Sequence, residues 1–206
     1  IRHPTNIKVF EKFVAESESL GYACNVYRAN SADYGVPQKR KRVFVFGIKD
    51  ARKPIAAPHP THGDPAKPEL MNGFNPYVGV GDFIQKFDTD AFAEPQEDAS
   101  GGTYYHELVH VPAGKNYIAL SKLEKYDGRT FRAGGRFWNF LHKLHPEQPS
   151  ITIAAQPGPW VGPFHWKNRR LRVPEIAAIQ TFPEGYRFAG NRRSIQKQIG
   201  NAVPCL

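Results

Sequence analysis

Cysteine is scarce in this chain. Two occur among 206 residues, Cys24 and Cys205. They form no CxxC pair and no disulfide framework, which fits a reducing compartment. An apolar run of the roughly 18 residues that a membrane-spanning helix needs is missing, and so is a signal-like start. No membrane partner is therefore expected. The first residue is Ile1 rather than methionine, and it stands at the edge of a helical pattern. A fragment or a processed chain is the expectation. Acids are also in deficit, with 19 Asp and Glu against 28 Lys and Arg, a formal charge of +9 and a pI near 9.6. That imbalance points to an anionic partner.

Turn and core formers are plentiful. There are 18 glycines and 18 prolines, and aromatics make up 13% of the chain. Such a composition fits a folded protein with many irregular connections. Its length suits one domain with a real core, or two small ones.

The most informative stretch is Tyr34-Gly35-Val36-Pro37-Gln38-Lys39-Arg40-Lys41-Arg42, which runs into Val43–Ile48. In an extended segment successive side chains point to opposite faces. Gln38, Arg40 and Arg42 then share one face, with Lys39 and Lys41 on the other. Arg42, next to an apolar strand, is expected to be the least solvated of the three. Upstream, Pro4–Leu20 has Ile7, Phe10, Phe13, Val14 and Leu20 on one helical stripe, and Gly21 provides a stop. A strand over Tyr22–Ala29, a turn over Asn30–Pro37 and a strand over Val43–Ile48 follow. This helix–strand–loop–strand unit reads as the edge of a larger α/β sheet. Nothing in the adjoining sequence is suited to cover the apolar face of its helix.

Six prolines between Arg52 and Pro76 forbid a long helix or a central strand there. His59 and His62 lack a third ligand at a telling spacing, so no metal is predicted. Gly81–Glu107 carries seven acids against Lys86 alone, and it is expected to face away from any phosphate backbone. The sign reverses over Lys115–Arg136, where Lys115, Lys122, Lys125, Arg129, Arg132 and Arg136 alternate with Tyr126, Phe131 and Gly134-Gly135. Base, aromatic and glycine together fit a loop entering a nucleic-acid groove; a solvated surface loop is the alternative. A short apolar helix is predicted over Phe137–Leu144 and a strand over Ser150–Ala154. His165–Leu206 holds eight Lys or Arg against two acids. Within it, Pro174 and Glu175 start a helix that stops before Pro183. Asn191 caps a second helix, and Gly200 closes it.

Three of these stretches together resemble the C-terminal part of the DNA (cytosine-5) methyltransferases. Asn30 and Tyr34–Arg42 resemble the family's block VIII, with its Q-x-R-x-R core. Arg169-Arg170-Leu171 through Glu175, Ala177, Gln180, Phe182 and Pro183 resembles block IX. Gln198-Ile199-Gly200-Asn201-Ala202-Val203-Pro204 resembles block X. The blocks stand in the family's order, with a variable insert of about residues 52–136 between the first two. Block IX departs from the pattern at Arg172 and Pro174, where a capping hydroxyl and an arginine are usual. Its helix must start by another route, with proline in the first turn.

The resemblance implies a fold and a division of labour. Residues 1–50 are expected to form an α/β edge of a Rossmann-like methyltransferase sheet. Residues 51–190 form an irregular, β-rich target recognition domain, with block IX at about 169–183, and 191–206 return to the catalytic domain. It also implies S-adenosylmethionine as cofactor and double-stranded DNA as partner, in a bacterial cytoplasm, within a restriction–modification system. Arg42 takes the role of stabilising charge on the target cytosine, with Gln38 and Arg40 in support. Asn201 and Ala202 close the cofactor pocket. Arg129, Arg132 and Arg136 read bases, since arginine pairs bidentately with guanine, and Lys115, Lys122, Arg169 and Arg170 join the DNA-binding set. The family's glycine-rich cofactor loop, Pro-Cys nucleophile and Glu-Asn-Val motif lie upstream of block VIII and are not found here. Cys24 sits in a strand pattern, and Cys205 follows Pro204 outside the nucleophile's setting. The chain thus reads as half an enzyme, predicted inactive alone. The missing N-terminal portion would be supplied in cis or as a separate subunit. A stand-alone DNA-binding module is the alternative from another class. A tRNA-directed relative fits less well, because its insert is usually short.

Overall fold

The computed structural model describes residues 4–71, 73–123 and 137–204. The base-reading candidates Arg129, Arg132 and Arg136 lie outside the described residues, as do Lys125, Tyr126, Phe131, Gly134 and Gly135. The chain divides into two compact units, residues 1–30 with 41–60, and residues 31–40 with 61–206.

In the first unit, helix α1 (Pro4–Ser19) is followed by strands β1 (Tyr22–Asn30) and β2 (Lys41–Lys49). Gly21, at φ +85°, turns the chain out of the helix, a conformation that costs glycine nothing. β1 and β2 pair antiparallel from Tyr22↔Lys49 to Asn30↔Lys41. Tyr27, Phe44 and Phe46 stack on one face, with ring centroids 5.6 to 6.1 Å apart. The predicted helix and strands are present. Among the described residues their sheet has two strands only. Ile7, Val9 and Phe13 of α1 and the following Leu20 remain exposed, as do Val26 and Ile48 of the hairpin.

The second unit has little regular structure. Strands β3 (His62–Gly63) and β4 (Asn75–Pro76) pair in parallel, and helices α2 (Gly81–Ile84) and α3 (Tyr105–His110) are short. Short 3-10 turns lie among these earlier elements, and helices α4 (Val173–Ile179) and α5 (Arg192–Asn201) complete the unit. The expected richness in β-structure is not found among the described residues. Prolines interrupt hydrogen-bond ladders here, and short helices take their place. Ser150–Ala154, predicted as a strand, is an extended segment with one bridge, Ser150 to Gln38. Phe137–Leu144, predicted as a helix, contains turns and bridges. Its amides bond far along the chain, Leu141 to the Trp160 carbonyl and Leu144 to that of Phe164, so the local helical ladder loses its donors.

Two apolar clusters hold this unit. Val80, Ile84, Leu144, Ile153, Leu171, Ile176, Ile179 and Ile199 pack around α4. Leu108, Val111, Tyr117, Leu120, Leu141 and Phe164 form the other. α4 starts as its sequence requires. Pro174 lies in the first turn, and the Glu175 carboxylate accepts from the Arg172 amide at 2.8 Å, the half of a capping box that needs no hydroxyl. Asn191 caps α5 by accepting from the Ser194 amide at 2.9 Å. The reading of Gly200 is corrected: it lies inside α5, not after it. A Cβ there would stand 2.4 Å from the backbone of Ala155, so close packing demands glycine, not a turn.

Gly200→Ala is expected to lower unfolding stability by about 1–3 kcal/mol, the usual range for overpacking. Gly101→Ala, with nothing within 4 Å of its added Cβ, should stay within about 0.5 kcal/mol. Urea denaturation of the two variants checks this.

Candidate active-site scaffold and nucleic-acid interface

The turn after Tyr34 drives Gln38 and Arg40 into the second unit, where they are 0% and 3% exposed. Lys39 between them is exposed. The Gln38 amide donates to Gln180 Oε1 at 2.8 Å, and its oxygen accepts from the Ile153 amide at 3.1 Å. Gln180 in turn donates to the Ile199 carbonyl at 2.5 Å. Arg40 donates to the carbonyls of Ile153 (3.2 Å) and Gly200 (2.7 Å). These bonds tie four segments together: the 34–40 turn, extended residues 150–154, the end of α4 and the end of α5. A buried donor or acceptor left unpaired costs about 1–3 kcal/mol, so the set fixes its segments mutually.

Arg42 does not share this environment. It is exposed on β2, paired across the hairpin with Ala29. Among the described residues its guanidinium donates only to the Lys41 carbonyl, at 2.8 Å. The expectation that Arg42 is the least solvated member is corrected. Alternation holds for residues 38–40, where buried partners exist. It does not carry burial past Lys41: Arg42 is exposed, although Tyr27, Phe44 and Phe46 on the same face are half-buried.

The acidic insert has an internal role that sequence reading missed. Asp88 accepts from Arg169 at 2.9 Å and from Lys167 at 2.7 Å. Arg169 also forks onto both oxygens of the fully buried Glu175, at 2.7 and 2.9 Å. Glu97 pairs with Arg172, and Glu94 with Arg192 at 3.2 Å. The insert therefore turns three carboxylates onto the basic segment. Arg169, with its side chain 12% exposed, commits its guanidinium to these two carboxylates. A charge run in sequence does not reveal which charges find internal partners.

These contacts shift several ionisations. Burial raises the Asp88 carboxyl, but hydrogen bonds from Lys167 and Arg169 outweigh this and leave it below the usual range. The hydrogen bond from Arg172 holds Glu97 low, against a smaller effect of burial. His165, 0% exposed, is pushed down to about 3 by burial, then by Arg169. It is neutral at pH 7. Its Nδ1 accepts from the Lys167 amide at 3.1 Å, so Nε2 carries the proton and faces Glu175 at 3.9 Å. That approach is not an ion pair. Asp88, His165 and Glu175 gather their ligand atoms within 4.8 Å, yet the Arg169 guanidinium already serves both carboxylates. His142, desolvated beside Trp138, falls to about 4.

Other predicted residues are spread out. Asn201 is exposed at the last position of α5, and the Ala202 carbonyl accepts from Gln180 at 3.3 Å. Lys115 and Lys122 are exposed near and at the end of the 3-10 turn Tyr117–Lys122. Arg170 is partly buried over the rings of Trp160 and Phe164, 5.7 and 5.9 Å from their centroids.

The model of the C-5 cytosine-specific DNA methylase family matches residues 1–206. The chain belongs to this family. It is 37% identical over 218 residues to the type II methyltransferase M.SacI of Streptomyces achromogenes, covering 99% of this chain and 54% of that protein. With M.BsuRI of Bacillus subtilis the identity is 32%, over 97% of this chain and 43% of the relative. The chain thus spans about half the length of these relatives. Its fold is similar to that of a putative DNA modification methyltransferase from an Escherichia coli prophage, at TM-score 0.53 and 21% identity, over 98% of this chain and 62% of the other. It is similar as well to Schizosaccharomyces pombe Dnmt2, at TM-score 0.52 and 12% identity, over 99% and 60% of the two chains.

Two outcomes are expected. Arg40→Ala removes two hydrogen bonds from a charged donor, at roughly 1.5 kcal/mol or more each. It should lower unfolding stability by about 3 kcal/mol, while Arg42→Ala leaves it within about 0.5 kcal/mol. Denaturant midpoints at matched m-values decide. Acidification is the second. His165 and His142 bind protons more weakly in the folded chain than in the unfolded one, whose value is near 6.5. Stability should therefore fall as pH drops below about 6.5, by up to roughly 1.4 kcal/mol per pH unit for each histidine. Replacing His165 with glutamine should flatten that slope by about one proton, read from unfolding at pH 7, 6 and 5.

Proposed function

We propose that this chain is the C-terminal part of a DNA cytosine-5 methyltransferase of a bacterial restriction–modification system. In this reading residues 1–50 are the edge of the catalytic domain. Residues 51–190 recognise the DNA target, and 191–206 return to the catalytic side. The observation that carries it is the buried clamp of Gln38, Arg40 and Gln180, which joins all three family blocks through hydrogen bonds. The clamp sits two residues from Arg42 and leaves that guanidinium available on the hairpin.

Arg42 is assigned the stabilisation of negative charge on the target cytosine. A planar guanidinium fork can meet a ring oxygen with fixed geometry, and a positioned donor matters most where charge develops. Gln38 and Arg40 act as supports, setting where β2 begins. Their burial supports a positioning role over one in binding phosphate.

The family's cofactor is S-adenosylmethionine, which supplies the methyl group. The donor set fits one edge of such a site. Asn201 presents an exposed amide, while the Ala202 carbonyl is committed to Gln180. The rest of the pocket and the nucleophile are assigned to the N-terminal portion, whether joined to this chain or separate. The open apolar residues of α1 and the hairpin are where that portion would pack. A DNA-binding module without catalysis remains the second reading, favoured by the net charge of +9.

Labelled S-adenosylmethionine and duplex DNA test the reading. The chain alone should transfer no methyl group, and addition of the N-terminal portion should restore transfer. In the restored enzyme Arg42→Lys should slow single-turnover transfer by about 10²-fold, the scale of one positioned donor, with DNA affinity changed far less. Lys41→Ala should stay within a few-fold. Transfer by the chain alone, or equal slowing by both variants, contradicts the assignment.

A further inference from the structure

Segments 153–164 and 170–196 line a half-open pocket of about 240 Å³, its wall mostly apolar, with Arg170, Arg192 and Gln196 as the polar side chains and glycines 158 and 162 beside them. A water's share of liquid volume is about 30 Å³, so a phosphate group fits with room for solvent. The charges in its wall are unequal. Arg192 is matched by Glu94 at 3.2 Å and donates to the Leu171 carbonyl (2.6 Å) and to Gln196 Oε1 (3.2 Å). Arg170 has no carboxylate partner among the described residues. Among the described residues its guanidinium donates to the Pro159 carbonyl at 2.6 Å. The faces of Trp160 and Phe164 hold the rest of the guanidinium in place. Burial, and then the charge of Arg192, lowers its pKa from the ordinary value.

We propose that this pocket is a binding site for one phosphodiester, held by the fork of Arg170. The wall carries two arginines; with Arg192 matched by Glu94 from outside the wall, one positive charge is left over, which matches the single negative charge of a diester better than the higher charge of a free phosphate. A desolvated arginine fork binds phosphate oxygens bidentately and strongly. The aromatic faces already fix the fork, so little freedom is lost on binding. Under the DNA reading above, on which the source of the diester rests, this is a backbone phosphate of the duplex. Its contact would position the protein without reading sequence.

The test has two arms. In the first, the 206-residue chain is titrated with dimethyl phosphate at constant ionic strength and followed by ¹H–¹⁵N spectra. Saturable shifts are expected at the Gly158 and Gly162 amides and the Trp160 indole, and they should be lost in Arg170→Met. Arg170→Lys, which keeps charge and stem but not the fork, should weaken binding several-fold. Shifts in the wild-type chain that are non-saturable, or confined to Lys115 and Lys122, overturn the site whatever the variants do. In the second arm, duplex DNA affinity is measured against salt. Arg170→Met should reduce the log–log slope by about one, equally for different sequences. Dimethyl phosphate binding with an unchanged DNA slope overturns the backbone assignment. If DNA does not bind at all while the diester does, the DNA reading fails and the diester site stands.

Discussion

The arrangement of this protein depends on a buried polar clamp. Gln38, Gln180 and Arg40 place two amides and a guanidinium where water does not reach, and together they bond the 34–40 turn, residues 150–154 and the ends of α4 and α5 to one another. Removing one partner strands others without compensation. Apolar packing is tolerant of small shifts, whereas these bonds accept one geometry. The clamp therefore sets where the chain leaves the second unit and where β2 begins.

A second layer of constraint is electrostatic. The segment richest in arginine is held by carboxylates from the insert and by Glu175 from its own helix. Arg169 is the centre of this, with Asp88 on one side and Glu175 on the other. Buried charge is tolerated only when paired and hydrogen-bonded. The buried neutral His165 beside the same pair fits that logic, since a further positive charge there would face Arg169 directly. The acids Asp88, Glu94 and Glu97 thus anchor their stretch of chain to the arginine-rich segment.

These two layers separate cations by task. Arg40, Arg169 and Arg172 spend their donors inside the fold. Arg42, Lys115 and Lys122 remain exposed, and Arg170 lies between the two groups, fixed by rings but not neutralised. Net charge alone treats all of these as equivalent. Their partners, not their number, determine which of them are free to meet an anion.

Much was legible in the sequence for local reasons. The stripe on α1, the stop at Gly21, the alternation of β1 and β2, the proline start of α4 and the Asn191 cap are set by residues within a few positions of one another. The family, too, was legible, because Gln38 with Arg40, Arg169 with Glu175, and Gly200 with Asn201 keep fixed spacing inside short blocks. What the sequence could not determine required partners far along the chain. Residues 137–144 have helical composition, but their amides are claimed by Lys115, Trp160 and Phe164. Alternation put Arg42 with Gln38 and Arg40, yet burial followed the distant carbonyls of Ile153 and Gly200 and stopped at Lys41. The acids at 88, 94 and 97 read as a repelled surface until the fold brought arginines to them. Gly200 read as a turn residue until the backbone of Ala155 closed against it. Local spacing thus determined the elements and the family, while tertiary structure decided which polar groups are buried, because burial depends on long-range contacts that no short window of sequence contains.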